Sequence, residues 1–80
     1  MQTAIKLDIE KISYNLRCMT IRAEDLEKDL TNTKEHINKF GMTYENEYSL
    51  FKLQMMIERH NLDMKEKRME LAFLYKKTVV

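Results

Sequence analysis

A single cysteine and two histidines are the residues of this chain best suited to bind a metal or attack a substrate. Cys18, His36 and His60 lie far apart in the sequence. A structural zinc site needs about four such ligands at short, defined spacings, and this arrangement does not provide them. We therefore expect no metal site. A lone cysteine also has no internal disulfide partner, which favours a reducing, intracellular and cytoplasmic location.

Carboxylates are the other group that could perform chemistry, and they cluster within one short segment. Glu24, Asp25, Glu27 and Asp29 lie within six residues of one another. Acid–base catalysis requires a pocket that shifts the pKa of such groups and excludes water. The chain also lacks a glycine-rich phosphate loop, a nucleophile elbow and a paired-histidine helix motif. We therefore interpret the cluster as a solvated helix face and expect no enzyme activity, no cofactor and no small-molecule substrate.

The elements that carry these residues are predicted by the spacing of apolar side chains. In the first half of the chain this spacing alternates between four and three, which is the heptad repeat of a coiled coil. Its positions a and d form one stripe, and only Thr33 in it is clearly polar. The stripe consists of Ile5, Ile9, Ile12, Leu16, Met19, Ala23, Leu26, Leu30, Thr33, Ile37, Phe40 and Tyr44.

The second half follows a new register with a stripe of its own. A histidine in such a stripe can set the register of two helices or respond to pH, or it can be a tolerated polar interruption. His60 and Lys67 interrupt the second stripe. The predicted helix interface there consists of Leu50, Leu53, Ile57, Met64, Leu71 and Leu74.

Both halves carry further large apolar residues roughly opposite these stripes. A two-stranded coiled coil exposes that side to water, so a second apolar face suggests contact with another helix. Scattered exposed apolar residues, which are common on protein surfaces, are the alternative interpretation. The predicted second face consists of Leu7, Tyr14, Ile21, Tyr48, Phe51, Met55, Leu62 and Met69, and Phe73 continues its line.

The change of register lies beside the only glycine, Gly41, almost at the midpoint of the chain. A glycine just after a helix accepts the left-handed backbone that ends it, and a Schellman-type ending would pack Met42 onto Ile37. Thr43 is a suitable cap for a following helix. We predict an antiparallel hairpin with helices 3–39 and 44–77 and a turn at 40–43. A single continuous rod of about 120 Å remains the alternative, since one glycine costs a helix only about 1 kcal/mol.

Composition excludes several classes of partner. The chain has 80 residues, no proline, a formal net charge of +1 and 34% charged residues. That charge provides no broad field for nucleic acid, and acidic residues interrupt the basic C-terminal stretch. No segment contains about 18 uninterrupted apolar residues, and the polar faces are not dominated by lysine and arginine as they are in helices that lie on a membrane. We therefore expect neither nucleic acid nor a membrane as a partner.

These observations predict an all-α module of 1–80 that acts by association. Two helices bury only one stripe each against each other, so we expect a homo-oligomer or a complex with another helical protein, for example a four-helix bundle formed by two hairpins. The first hypothesis is a scaffold that holds subunits of a larger assembly. The second is an adaptor or chaperone that captures an amphipathic helix of a partner in a methionine-rich groove.

Overall fold

The chain folds as an antiparallel pair of long helices. A computed structural model describes the backbone of residues 2–78 and the side chains of residues 4–78. Helix α1 spans Gln2–Phe40 and helix α2 spans Tyr44–Thr78. The molecule measures 58 × 15 × 14 Å, so the predicted hairpin is confirmed and the continuous rod is wrong. Each helix end lies within one residue of its predicted position.

The turn forms because Gly41 adopts a backbone conformation that other residues avoid. Its φ angle is +88°, and its amide donates to the carbonyl oxygen of Ile37 at 2.8 Å. This single bond is the simpler left-handed helix ending, and Met42 stays 56% exposed instead of packing back as in a Schellman ending. Thr43 then caps α2, because its Oγ1 accepts a hydrogen bond from the amide of Asn46 at 3.2 Å.

The two stripes face each other and form the contact between the helices, which we call the seam. Leu26 is 3% exposed and Met64 is 5% exposed, and these are the two buried residues among those whose side chains are described. The remaining apolar seam positions are half-buried. They are Ile5, Ile9, Ile12, Leu16, Met19, Ala23, Leu30, Ile37, Leu50, Leu53, Ile57, Leu71 and Leu74.

Phe40 departs from the predicted interface. Its side chain is 72% exposed because it is the last residue of α1, where the chain reverses before α2 begins and no opposing turn covers it. The ring lies instead against His36 of the same helix, with 4.8 Å between ring centroids. Tyr44, which extended the first stripe, begins α2 and is 82% exposed.

The polar seam residues are accommodated without leaving an unpaired buried group. His60 is half-buried, and its Nε2 lies 2.6 Å from the carbonyl oxygen of Met19, across the seam. Lys67 is half-buried, and its ammonium group lies 3.3 Å from the carboxylate of Glu70. The described side chains contain no buried nitrogen or oxygen that lacks a hydrogen-bond partner.

Candidate interaction surfaces

The residues suited to chemistry do not come together. Cys18 is exposed on α1. His36 lies near the turn, where its Nδ1 is 3.2 Å from Nδ2 of Asn46, and His60 lies at mid-length against the Met19 carbonyl. Each histidine therefore has a hydrogen-bond partner of its own.

The carboxylate cluster lies on the surface. Glu24, Asp25, Glu27 and Asp29 are all exposed. Within the part of the chain that the structure describes, no group of three or more histidine, cysteine or acidic side chains is placed to hold a metal ion. None of these carboxylates lies in a site that excludes water. These carboxylates can therefore interact with solvent and with opposite charges. The remaining candidates for a functional site are surfaces through which the chain could associate with another helix.

The apolar residues opposite the seam of α1 form a short exposed line, which we call the α1 ridge. It consists of Leu7, Tyr14 and Ile21, spaced one heptad apart. Their side chains are 52%, 60% and 61% exposed. The guanidinium of Arg17 lies 5.9 Å from the centroid of the Tyr14 ring and covers part of it. This edge is apolar over the N-terminal half of α1.

A longer line of the same kind follows the outer edge of α2, which we call the α2 ridge. It consists of Tyr48, Met55, Leu62 and Met69, again one heptad apart. All four are more than half exposed. Phe51 and Phe73, at 59% and 58% exposed, lie beside this line. The second apolar face predicted from the sequence is therefore two ridges, and within this single chain both lack a covering helix.

The ridges lie on opposite edges of the hairpin, because each is directed away from its own seam. The two broad faces between them are mostly polar. One carries residues such as Glu27 and Lys34, and the other carries residues such as Arg22 and Asp63. Exposed apolar surface is thus concentrated at the two edges of the hairpin, where a further helix could pack against it.

A shallow groove lies at the turn end of the α2 ridge. It is formed by Tyr48, Phe51, Met55 and Met56, with Lys52 and Arg59 at its polar border. Flexible methionine side chains adapt to partners of different shape. The groove therefore combines an adaptable apolar floor with a positive border.

Charged residues flank the α2 ridge on both sides. Glu58 and Lys65 follow one side, and Arg59 and Glu66 follow the other. The one ion pair in residues 4–78 joins Lys67 to Glu70, so none of these four flanking charges is paired within the chain. These four residues were not predicted from the sequence as part of a site, although continuing the heptad of α2 places them on either side of the ridge.

No family model, curated protein or solved structure matches this chain. Neither helix, over the residues described, is long and apolar enough to cross a membrane.

Proposed function

We propose that this chain is a non-enzymatic oligomerisation module, a rigid helical spacer that holds subunits of an assembly side by side. The observation that supports the proposal is the pair of exposed apolar ridges on opposite edges of one hairpin. A helix that is apolar on two sides is suited to contact neighbours on both sides. An apolar surface of this extent is also unusual for a chain that remains alone in water.

The accessible surface of the chain supports the same proposal. It amounts to 6745 Å². A compact monomer of 9.7 kDa exposes roughly 5,100 Å² by the usual scaling with mass. The difference is roughly twice the 800 Å² that one partner contributes to a standard interface. The chain therefore has enough surplus surface for one interface at each edge.

The test is the mass of the purified chain by light scattering across a range of concentrations. We expect a discrete oligomer with high helicity. Tyr14→Lys on the α1 ridge and Leu62→Lys on the α2 ridge each place a charge on an apolar edge and should reduce the mass. Thr31→Lys is the matched control, since it adds the same charge to an exposed polar position of α1. A cooperatively folded monomer at all concentrations would contradict the proposal.

The groove at the turn end supports a second candidate, an adaptor that captures an amphipathic helix of a partner. Tyr48, Phe51 and the two methionines provide the apolar floor, and Lys52 and Arg59 favour a helix with acidic residues beside its apolar stripe. A stabilised acidic amphipathic peptide should then raise the melting temperature of the chain, because a ligand that binds only the folded state stabilises it. A peptide with the same composition and a scrambled stripe is the control.

A further inference from the structure

The α2 ridge is complementary to itself when a second copy approaches in the opposite direction. We propose that two copies of this chain associate through their α2 ridges, antiparallel, with the two-fold axis at Leu62. This inference rests on the proposed oligomerisation function.

The ridge supplies the apolar centre of the contact. With the axis at Leu62, this residue meets Leu62 of the second copy. Met55 and Met69 are each one heptad from Leu62, so each meets the other across the interface. All three side chains are more than half exposed in the single chain and are available for burial. The helices can approach along this line because α1 lies on the opposite side of α2.

The flanking charges match in the same register. A two-fold axis perpendicular to both helices brings each side of the ridge against the same side in the second copy. On one side, Glu58 then lies within one residue of the level of Lys65 of the second copy, since Glu58 is four positions before Leu62 and Lys65 is three positions after it. On the other side, Arg59 and Glu66 of the second copy are three before and four after, so they also lie within one residue of the same level. The symmetry doubles both pairs, so four attractive pairs border the contact.

Antiparallel registers shifted by one heptad lose this match. With the axis between Met55 and Leu62, Glu58 would meet Glu58 and Arg59 would meet Arg59. A shift in the other direction would bring Lys65 against Lys65. Like charges at close range disfavour an interface, which is how charge patterns select one register from several. Of these three antiparallel registers, the one centred on Leu62 is therefore the one in which the flanking charges attract each other.

The ends of α2 favour the antiparallel direction over a parallel one. In a parallel pair, Lys76 would face Lys76 on the ridge line, and the acidic first turns with Glu45 and Glu47 would lie together. In the antiparallel pair, the acidic first turn of one helix lies near Lys76 and Lys77 of the other. The helix dipoles are then also opposed, which is the favourable arrangement.

The resulting dimer places four helices in one layer, with α2 of each copy at the centre. It leaves the α1 ridges of both copies exposed at the outer edges. Because the surplus surface of the chain is roughly that of two standard interfaces, one α2 contact uses about half of it. The α1 ridge then remains for the other subunits that the proposed spacer would hold.

A charge exchange between two variants tests the register. Arg59→Glu should weaken self-association about tenfold, because each copy then meets Glu66 of the other with a like charge. Glu66→Arg should weaken it similarly. An equimolar mixture should restore association, because the antiparallel heterodimer pairs every reversed charge with its complement. In a parallel pair, the mixture would associate no more strongly than either variant alone. That result would overturn the proposed register.

Single cysteines on the ridge test the geometry directly. In a Cys18→Ser background, oxidation of Leu62→Cys alone should give a disulfide dimer, and so should a mixture of Met55→Cys with Met69→Cys. The matched control is Met55→Cys with Leu62→Cys, which would cross-link to each other only in the shifted register. Self-linking of Met55→Cys would show either a parallel pair or an antiparallel pair centred on Met55, and either would overturn the inference.

The mass of the parent chain separates failure of this inference from failure of the proposed function. An oligomer without these cross-links would retain the function and reject the α2 contact. A monomer would reject both. A dimer that shows the Met55–Met69 link and the restored mixture would establish the contact.

Discussion

The seam and the α2 ridge occupy opposite sides of one helix and have the same heptad spacing, yet one is covered and the other is exposed. Met64 in the seam is 5% exposed, whereas Leu62 on the ridge, two positions earlier, is 62% exposed. The comparison shows that heptad spacing predicts where an apolar stripe lies on a helix. It does not predict which stripe the chain itself covers, because that depends on the turn that returns α2 onto α1.

The two stripes should therefore respond to mutation in different ways. A seam residue stabilises the hairpin itself, so its loss should lower the free energy of unfolding at every protein concentration. A ridge residue contributes when another chain covers it, so its loss should change association and leave the dilute hairpin nearly unaffected. The same substitution at both places separates these effects.

Leu26→Ala should have the largest effect. Leu26 is 3% exposed, and truncating a buried leucine costs about 2–5 kcal/mol in lost transfer free energy and cavity formation. Urea unfolding followed by circular dichroism measures the change. We expect a loss near the lower end of that range, because the two-helix layer can partly close around the missing atoms.

Leu62→Ala is the matched control, since it removes the same atoms from the exposed ridge. In dilute protein it should change the free energy of unfolding by less than about 0.5 kcal/mol. At high concentration it should lower the stability further if the ridge is covered by a second copy. Equal effects of the two leucines in dilute solution would contradict the distinction between seam and ridge.

Gly41→Ala should have the next largest effect, because it acts on the turn that makes one stripe a seam. A Cβ at Gly41 would meet nothing within 4 Å, so the cost comes from the φ angle of +88° alone. We expect a loss of about 1 kcal/mol. Gly41→Asn should lose less, since asparagine tolerates the left-handed conformation better than alanine. An unchanged or increased stability of the alanine variant, measured by thermal unfolding, would be inconsistent with this turn.

Much of the fold could be predicted from the sequence because it is encoded by local patterns. Heptad spacing located the apolar stripes on each helix, and Gly41 with Thr43 indicated where the chain reverses. Phe40 was misassigned because the pattern continues to the last residue of α1, whereas the cover provided by α2 ends earlier. A local pattern contains no information on where the opposing helix stops.

The features that could not be predicted depend on how the two helices are aligned. The contact of His60 with the Met19 carbonyl joins residues that are 41 positions apart, and it requires the register of the whole hairpin. The same holds for the ridges. Their residues were identified from the sequence, but the arrangement as two opposite edges follows only once the hairpin places each helix.

His60→Leu should change the free energy of unfolding only slightly. The variant loses a hydrogen bond worth about 1 kcal/mol, but it leaves no orphaned group, because the Met19 carbonyl also accepts the hydrogen bond of its own helix. Leucine adds apolar burial in the seam, so stability should stay within about 1 kcal/mol of the parent. His60→Ala is the control, and it should lose more because it removes both the bond and the packing.

His60→Leu and the parent chain should differ mainly in how many alignments of the two helices are populated. His60 is a half-buried polar residue that interrupts an otherwise apolar stretch of seam, and its bond to Met19 matches one level of α2 with one level of α1. A leucine there makes neighbouring registers more similar in energy, as happens when a buried polar residue is removed from a coiled coil. The amide NMR spectrum of His60→Leu should therefore show broadened or doubled resonances along the seam at nearly unchanged stability. A single sharp set of resonances would mean that the bond between His60 and the Met19 carbonyl does not select the register. The register would then depend on the turn and the apolar spacing.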